Sequence, residues 1–161
     1  MKQERGFSLV ELLTVMAIIA IMATIAIPTF NQARQGAVFR QEARSIGAML
    51  REARGRTVSL NLEHQVAFNL TAGANQYQLQ QGNASSGSTV WAAVPTQTVA
   101  VRPGVALSQA GCLGAAPNYT IQFNTNGSAD SACVINVLNA ATLGVVHTVT
   151  VTQNTGRVRI R

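Results

Sequence analysis

Acidic residues are scarce in this sequence of 161 residues. Six Asp and Glu side chains stand against twelve Lys and Arg, which gives a formal charge of +6 at pH 7. Aromatic residues make up only 5% of the chain, and there are two histidines. Paired carboxylates and histidine clusters, which acid–base catalysis and metal binding need, therefore have few candidates.

Recognisable catalytic motifs are lacking as well, since no GxSxG, HExxH or glycine-rich phosphate loop occurs. Asp130 follows an Asn-Gly turn, and one acid is too few for a tight calcium cage. We expect no enzyme, no metal and no cofactor. Eleven of the twelve basic residues are arginine, and this balance favours acidic partners.

What the sequence does have is a long apolar run near its start. Residues 7–27 contain one charge, Glu11, and follow a short basic segment with Lys2 and Arg5. As a helix the run is about 31 Å long, close to the thickness of the bilayer hydrocarbon. A cleaved secretory signal has a shorter apolar region, and a plain signal anchor leaves the glutamate unexplained.

Cleavage between Gly6 and Phe7 gives Glu11 a role. Phe7 then carries a new α-amino cation, and in a helix bundle the carboxylate can pair with the amine of a neighbouring subunit. The stretch GFSLVELL, residues 6–13, resembles the class III signal of type IV pilins and type II secretion pseudopilins. The resemblance implies that a prepilin peptidase cuts after Gly6 and methylates Phe7. It also implies that Glu11 serves assembly with other major and minor pilins through the N-terminal helix.

Pro28 lies where that family has a helix-bending proline, and proline removes a helical hydrogen bond, so we predict a kink there. The apolar pattern then resumes at helical spacing. One stripe carries five apolar side chains: Phe39, Ala43, Ile46, Leu50 and Ala53. That stripe predicts an amphipathic helix that packs on a domain core.

Four arginines, Arg40, Arg44, Arg51 and Arg54, fall within about 80° of one another beside the apolar stripe. We interpret them as a solvated flank whose long stems cover apolar surface. The alternative is a basic stripe that meets other subunits or polyanions.

From residue 62 the period changes to two, which is typical of β-strands. Residues 65–70 and 76–80 alternate on either side of a turn and predict a β-hairpin. Further strands are predicted at 98–102, 105–107, 119–124, 133–138, 146–152 and 157–161. The predicted fold class is α+β, a pilin-like fold with a long N-terminal helix packed on a C-terminal antiparallel β-sheet domain.

The predicted organisation has three parts. Residues 1–6 are a leader peptide, 7–28 a transmembrane and assembly helix, and 29–161 a globular domain with an amphipathic helix at 29–60 and a β-rich part at 62–161. The basic leader predicts a single-pass inner-membrane protein whose C-terminal domain crosses to the periplasm before the chain joins a pilus or pseudopilus.

Cys112 and Cys133 would then lie in an oxidising space. A disulfide between them closes a loop of about 20 residues and stabilises the fold by about 3 kcal/mol through loop-closure entropy. Two buried free thiols are the alternative.

The last six residues place three arginines on one face of a predicted strand. Arg157, Arg159 and Arg161 alternate with apolar residues that point to the core. Charge that blunts an edge strand against aggregation is one explanation. An anion site is the other, with Arg102 as a weaker candidate for the same patch.

The order of the chain, with a helix, an early hairpin and a terminal Gly-Arg strand, resembles the GspH/FimT group of minor pilins and pseudopilins. Gly156, Arg157 and Arg159 also resemble the C-terminal Gly-Arg-x-Arg motif that binds DNA in FimT-type minor pilins linked to natural transformation. The resemblance implies a minor pilin at the filament tip or priming complex that binds DNA without sequence preference. The alternative is a minor pseudopilin of a type II secretion system with a purely structural role.

Overall fold

The computed structural model describes residues 8–161, and the side chains of all of these except 27–33. One helix, α1, spans Leu9–Leu60 and is followed by Asn61 in the left-handed region at φ 51°, a common way to end a helix. The chain divides into two compact units, Met1–Ala37 and Val38–Arg161. Helix α1 includes Pro28, and the kink predicted there stays a prediction.

The described part of the first unit is apolar along the helix. The segment Leu9–Ala26 is long and apolar enough to cross a membrane, by length and composition, and none of it is buried within the structure. The hydroxyls of Thr14 and Thr24 donate to the carbonyl oxygens of Val10 and Ile21, at 2.9 Å and 2.7 Å. These bonds satisfy the only hydroxyls in the segment internally, as an apolar surrounding requires.

Nine strands follow the helix in the second unit. They are β1 His64–Asn69, β2 Gln76–Gly82, β3 Trp91–Ala100, β4 Val105–Ala110, β5 Leu113–Ala115, β6 Asn118–Phe123, β7 Cys133–Asn139, β8 Val145–Val151 and β9 Val158–Ile160. They form two antiparallel sheets with the strand orders β3-β2-β1-β6-β5 and β4-β7-β8-β9. The predicted α+β class and the predicted antiparallel domain are confirmed.

The core lies where α1 meets the strands. All five side chains of the predicted helical stripe are buried, with at most 7% of their surface exposed. On the strand side Phe68 stacks on Tyr77 and on Tyr119, with ring centroids 5.5 Å and 4.6 Å apart. These three rings are cross-strand partners on β2, β1 and β6, so they fix the register of the first sheet.

The predicted hairpin corresponds to β1 and β2, which pair in register from His64 opposite Gln81 to Asn69 opposite Gln76. Each of the other predicted strands overlaps an observed one. Two features differ from the sequence prediction. The strand predicted at 98–102 begins seven residues earlier as β3, and the short β5 was not predicted.

Cys112 and Cys133 form a disulfide with their Cα atoms 4.6 Å apart, which confirms the predicted bridge over the free thiols. Cys112 immediately precedes β5 in the first sheet, and Cys133 begins β7 in the second. The bridge therefore ties the connection between β4 and β5, where the chain passes from the second sheet to the first, to the start of β7.

Candidate nucleic-acid interface

The last strand, β9, lies at the edge of the second sheet and pairs only with β8. Its Val158 and Ile160 side chains pack against the core, whereas Arg157, Arg159 and Arg161 are exposed. The predicted alternation of exposed and partly buried side chains is therefore present, with Arg159 on β9 and with Arg157 and Arg161 on either side of the strand.

Strand β9 also rests on helix α1. A Cβ atom built on Gly47 would lie 2.7 Å from Cδ1 of Ile160, closer than carbon atoms approach. The absence of a side chain at Gly47 is what lets Ile160 reach the helix. This contact holds β9 close to α1.

Gly156 precedes these arginines in a tight turn, where its N–H donates to the carbonyl oxygen of Thr152 at 2.8 Å. Its φ of 58° lies in the left-handed region that favours glycine. A Cβ atom here would overlap the carbonyl oxygen of Gly127 and lie 3.0 Å from Nε of Arg54. The glycine of the Gly-Arg-x-Arg sequence is therefore required by its positive φ and by the backbone of Gly127, and Arg54 of α1 lies beside it.

Arg54 reaches that point from the last part of α1 and donates from Nε to the carbonyl oxygen of Gly127 at 2.9 Å. Its guanidinium lies beside two glycines with positive φ, Gly127 at 81° and Gly156 at 58°. Together they leave room for the arginine between the 124–128 turn and the terminal segment.

A groove of about 540 Å³ lies next to Arg54, and we call it the arginine groove. One wall comes from α1 and the other from residues 156–158, which lead into β9. Its lining residues are Arg51, Arg54, Gly55, Val58, Ser59, Gly156, Arg157 and Val158. The sequence alone leaves two interpretations of Arg51 and Arg54, a solvated flank or a basic stripe that meets other subunits or polyanions. Their shared helical face is the only local signal for either.

The acidic groups of the second unit are mostly engaged elsewhere. Oε1 of Glu52 lies 2.9 Å from a terminal nitrogen of Arg56 on the same helix. Glu42 is fully buried, and its Oε2 lies 3.3 Å from Nε of Arg102. Burial raises the pKa of Glu42 above its ordinary value, and the nearby Arg102 offsets only part of this rise.

Glu63 is the second buried acid, at the start of the β-rich part. It accepts hydrogen bonds from the backbone N–H groups of Gly87 and Ser88, at 3.0 Å and 2.7 Å. Burial alone would raise its pKa, but the bonds from Ser88 and Gly87 outweigh burial and lower it. The carboxylate holds the 83–90 loop to the sheet and adds no free negative charge near β9.

Arg102 is not brought to the arginines of the terminal segment. It precedes β4, which lies at the opposite edge of the second sheet from β9, and it pairs with the buried Glu42. Its charge is used to compensate that carboxylate.

The remaining predicted site residues belong to the start of the chain. Gly6 and Phe7 lie outside the described residues. Glu11 is in the first turn of α1, and its side chain is exposed. Within the part of the chain that the structure describes, no group of three His, Cys, Asp or Glu residues could hold a metal ion.

Comparison with known proteins identifies a motif at the start of the chain. Residues 1–27 match the prokaryotic N-terminal methylation motif. A search of curated proteins found no match.

Solved structures show the same fold at low sequence identity. The minor pseudopilin EpsH of the type 2 secretion system of Vibrio cholerae has a TM-score of 0.59 and 14% identity, and the match covers 76% of this chain and 94% of EpsH. GspH of E. coli gives 0.62 and 10%, covering 79% and 89%. The type IV minor pilin FimU of Pseudomonas aeruginosa gives 0.54 and 16%, covering 76% and 91%.

Proposed function

We propose that this chain is a minor pilin of the type IV pilin and pseudopilin superfamily and that it binds DNA; the methylation motif at residues 1–27 and the shared fold support this assignment. It is a structural subunit of a filament. Its globular domain contributes to the tip or priming complex of a type IV pilus and holds DNA for uptake by natural transformation.

The observation that carries DNA binding is the exposed row of Arg157, Arg159 and Arg161. Protection of an edge strand needs charge of either sign and is served equally by lysine or glutamate. Three exposed arginines with no acid among them favour an anion with many oxygens. Contacts to the phosphate backbone give binding without sequence preference.

Assembly is assigned to the N-terminal helix. In this proposal prepilin peptidase cuts between Gly6 and Phe7 and methylates Phe7, and Glu11 pairs with the terminal amine of a neighbouring major or minor pilin. Lys2 and Arg5 keep the leader on the cytoplasmic side of the inner membrane. The domain with the disulfide then lies in the periplasm until the subunit enters the filament.

The test is a titration of the full chain, in a nonionic detergent, with fluorescently labelled duplex DNA at low salt. We expect measurable binding with a log–log salt slope of about −2 to −3, because about three phosphates are contacted. The double variant Arg157→Gln and Arg159→Gln should bind more weakly than the parent. Arg40→Gln removes one exposed helical charge far along the sequence and is the control.

Absence of binding by the parent chain would favour the alternative function. The chain would then be a minor pseudopilin of a type II secretion system, and β9 would have a purely structural role. The shared fold with EpsH and GspH supports that candidate.

A further inference from the structure

The arginine groove joins two parts of the chain that are about 100 residues apart in sequence. Arg51 and Arg54 stand on the wall from α1, and Arg157 stands on the opposite wall. We propose that this groove holds a phosphodiester group of the DNA backbone, with Arg51 and Arg54 as binding residues in addition to the terminal strand. The proposal rests on the proposed function and extends the contact surface from β9 onto the helix.

The seating of Arg54 is the first support. Its Nε–H is committed to the carbonyl oxygen of Gly127 at 2.9 Å, which fixes the plane of the guanidinium. The terminal nitrogens keep N–H groups for a ligand, since arginine carries five donors. A guanidinium already held in place loses less side-chain freedom when it binds a phosphate.

The close approach of two glycine-containing segments to Arg54 is the second support. A Cβ atom on Gly156 would lie 3.0 Å from Nε of Arg54, and one on Gly127 would lie 3.4 Å from a terminal nitrogen of Arg54. Both glycines have positive φ. Glycine at position 156 lets the turn before β9 pass close to Gly127 and Arg54, and Arg54 and Arg157 line the same groove.

The charge of the groove is the third support. None of its lining residues is acidic. Glu52 is the neighbour of Arg51 along α1, and its carboxylate is already paired with Arg56 at 2.9 Å. A phosphodiester carries one negative charge and two free oxygens, which suit guanidinium groups from two walls. Val58 and Val158 supply apolar surface at the same groove for the sugar.

The experiment compares Arg51→Gln and Arg54→Gln with Arg40→Gln in the full chain in nonionic detergent. All three remove one exposed charge from the same helix, but Arg40 does not line the groove. With labelled duplex DNA at low salt, we expect each groove variant to bind about threefold to tenfold more weakly. Each should also make the salt slope shallower, because less positive charge neutralises the phosphate. Arg40→Gln should change affinity by less than about twofold.

Arg54 also donates a hydrogen bond to Gly127 within the fold. The result for Arg54→Gln is therefore interpreted together with Arg54→Lys and Arg51→Gln. Arg54→Lys keeps the charge but lacks the fixed planar group, and it should bind between the parent and Arg54→Gln. If Arg54→Gln fails to fold, as followed by the fluorescence of Trp91, Arg51→Gln decides.

Two outcomes overturn the groove while leaving the proposed function standing. In one, Arg51→Gln and Arg54→Gln bind like the parent although the double variant at Arg157 and Arg159 does not. In the other, Arg40→Gln weakens binding as much as Arg51→Gln, which indicates a general charge effect. A parent chain that binds no DNA overturns both proposals.

Discussion

Glu42 is a buried carboxyl group whose ionisation lowers the stability of the fold. Its carboxylate lies on the buried side of α1 with no exposed surface, and Arg102 reaches it at 3.3 Å while remaining partly exposed. The hydroxyl of the neighbouring Tyr77 donates to Ser45 at 2.9 Å. Burial favours the neutral form of Glu42, and its pKa is raised in the folded state.

A pH dependence of stability follows from that raised pKa. The stabilisation linked to protonated Glu42 is fully present below the ordinary pKa of glutamate and is lost as pH rises through the higher folded value. We therefore expect the free energy of unfolding of the parent chain to fall relative to Glu42→Gln as pH rises. Urea denaturation at several pH values, followed by Trp91 fluorescence, measures the difference.

Glu52→Gln serves as the control for that series, because the Glu52 carboxylate is partly exposed and pairs along the helix. Other titrating groups are shared by parent and variant and cancel in the comparison. Parallel stability curves for the parent and Glu42→Gln would contradict the linkage.

At the scale of elements, the contact between β9 and α1 depends on a glycine in the middle of a helix. Glycine lowers helix stability by about 1 kcal/mol relative to alanine. Gly55 has open space around its Cβ position, whereas Gly47 faces Ile160 at 2.7 Å. The same Gly→Ala substitution can therefore be compared in one helix with a clash, at Gly47, and without one, at Gly55.

We expect Gly55→Ala to raise the free energy of unfolding by up to about 1 kcal/mol, because it gains helix propensity without a clash. Gly47→Ala should gain clearly less or lose stability, because Ile160 must move away from α1. Urea denaturation of both variants and the parent gives the comparison. Equal stabilisation by the two substitutions would show that Ile160 does not depend on Gly47.

Much of the element order could be predicted from the sequence because the relevant patterns are local. The buried helical stripe and the β1–β2 hairpin follow from periods that neighbouring residues define. The first half of β3 was hidden because Pro95 interrupts it, and proline argues against a strand. The chain accommodates it with a register shift opposite Gln78 and Gln80 and a positive φ at Thr96. Strand β5 is three residues long and too short to alternate.

The candidate site likewise has a part that local sequence patterns predict and a part that depends on contacts between distant residues. The arginine row of β9 is a local pattern with a period of two, and its exposure is as predicted. The seat of Arg54 requires Gly127 and Gly156 to meet the end of α1, and no local pattern records that meeting. The pairing of Arg102 with Glu42 is equally non-local, so the sequence could not separate Arg102 from the arginines at the end of the chain.

At the scale of the whole molecule, substitution of Glu11 tests whether assembly depends on the N-terminal helix. Glu11→Val makes the apolar segment more uniform, so we expect the variant to stay in the membrane fraction. Its incorporation into filaments should fall, because the amine of a neighbouring subunit loses its partner. Immunoblots of membrane and sheared-filament fractions measure both quantities, with the conservative Val10→Ile as the control. Normal incorporation of the Glu11 variant would contradict this role.

The disulfide sets a limit on how far the molecule can be stretched. Cys112 and Cys133 are 21 residues apart in sequence, so the bridge removes about 70 Å of contour length from a chain pulled at both ends. The 124–128 turn, which carries the carbonyl that seats Arg54, lies inside this closed loop. When the chain is pulled between α1 and its last strand, tension can extend other segments, but it cannot draw that turn out into a straight chain.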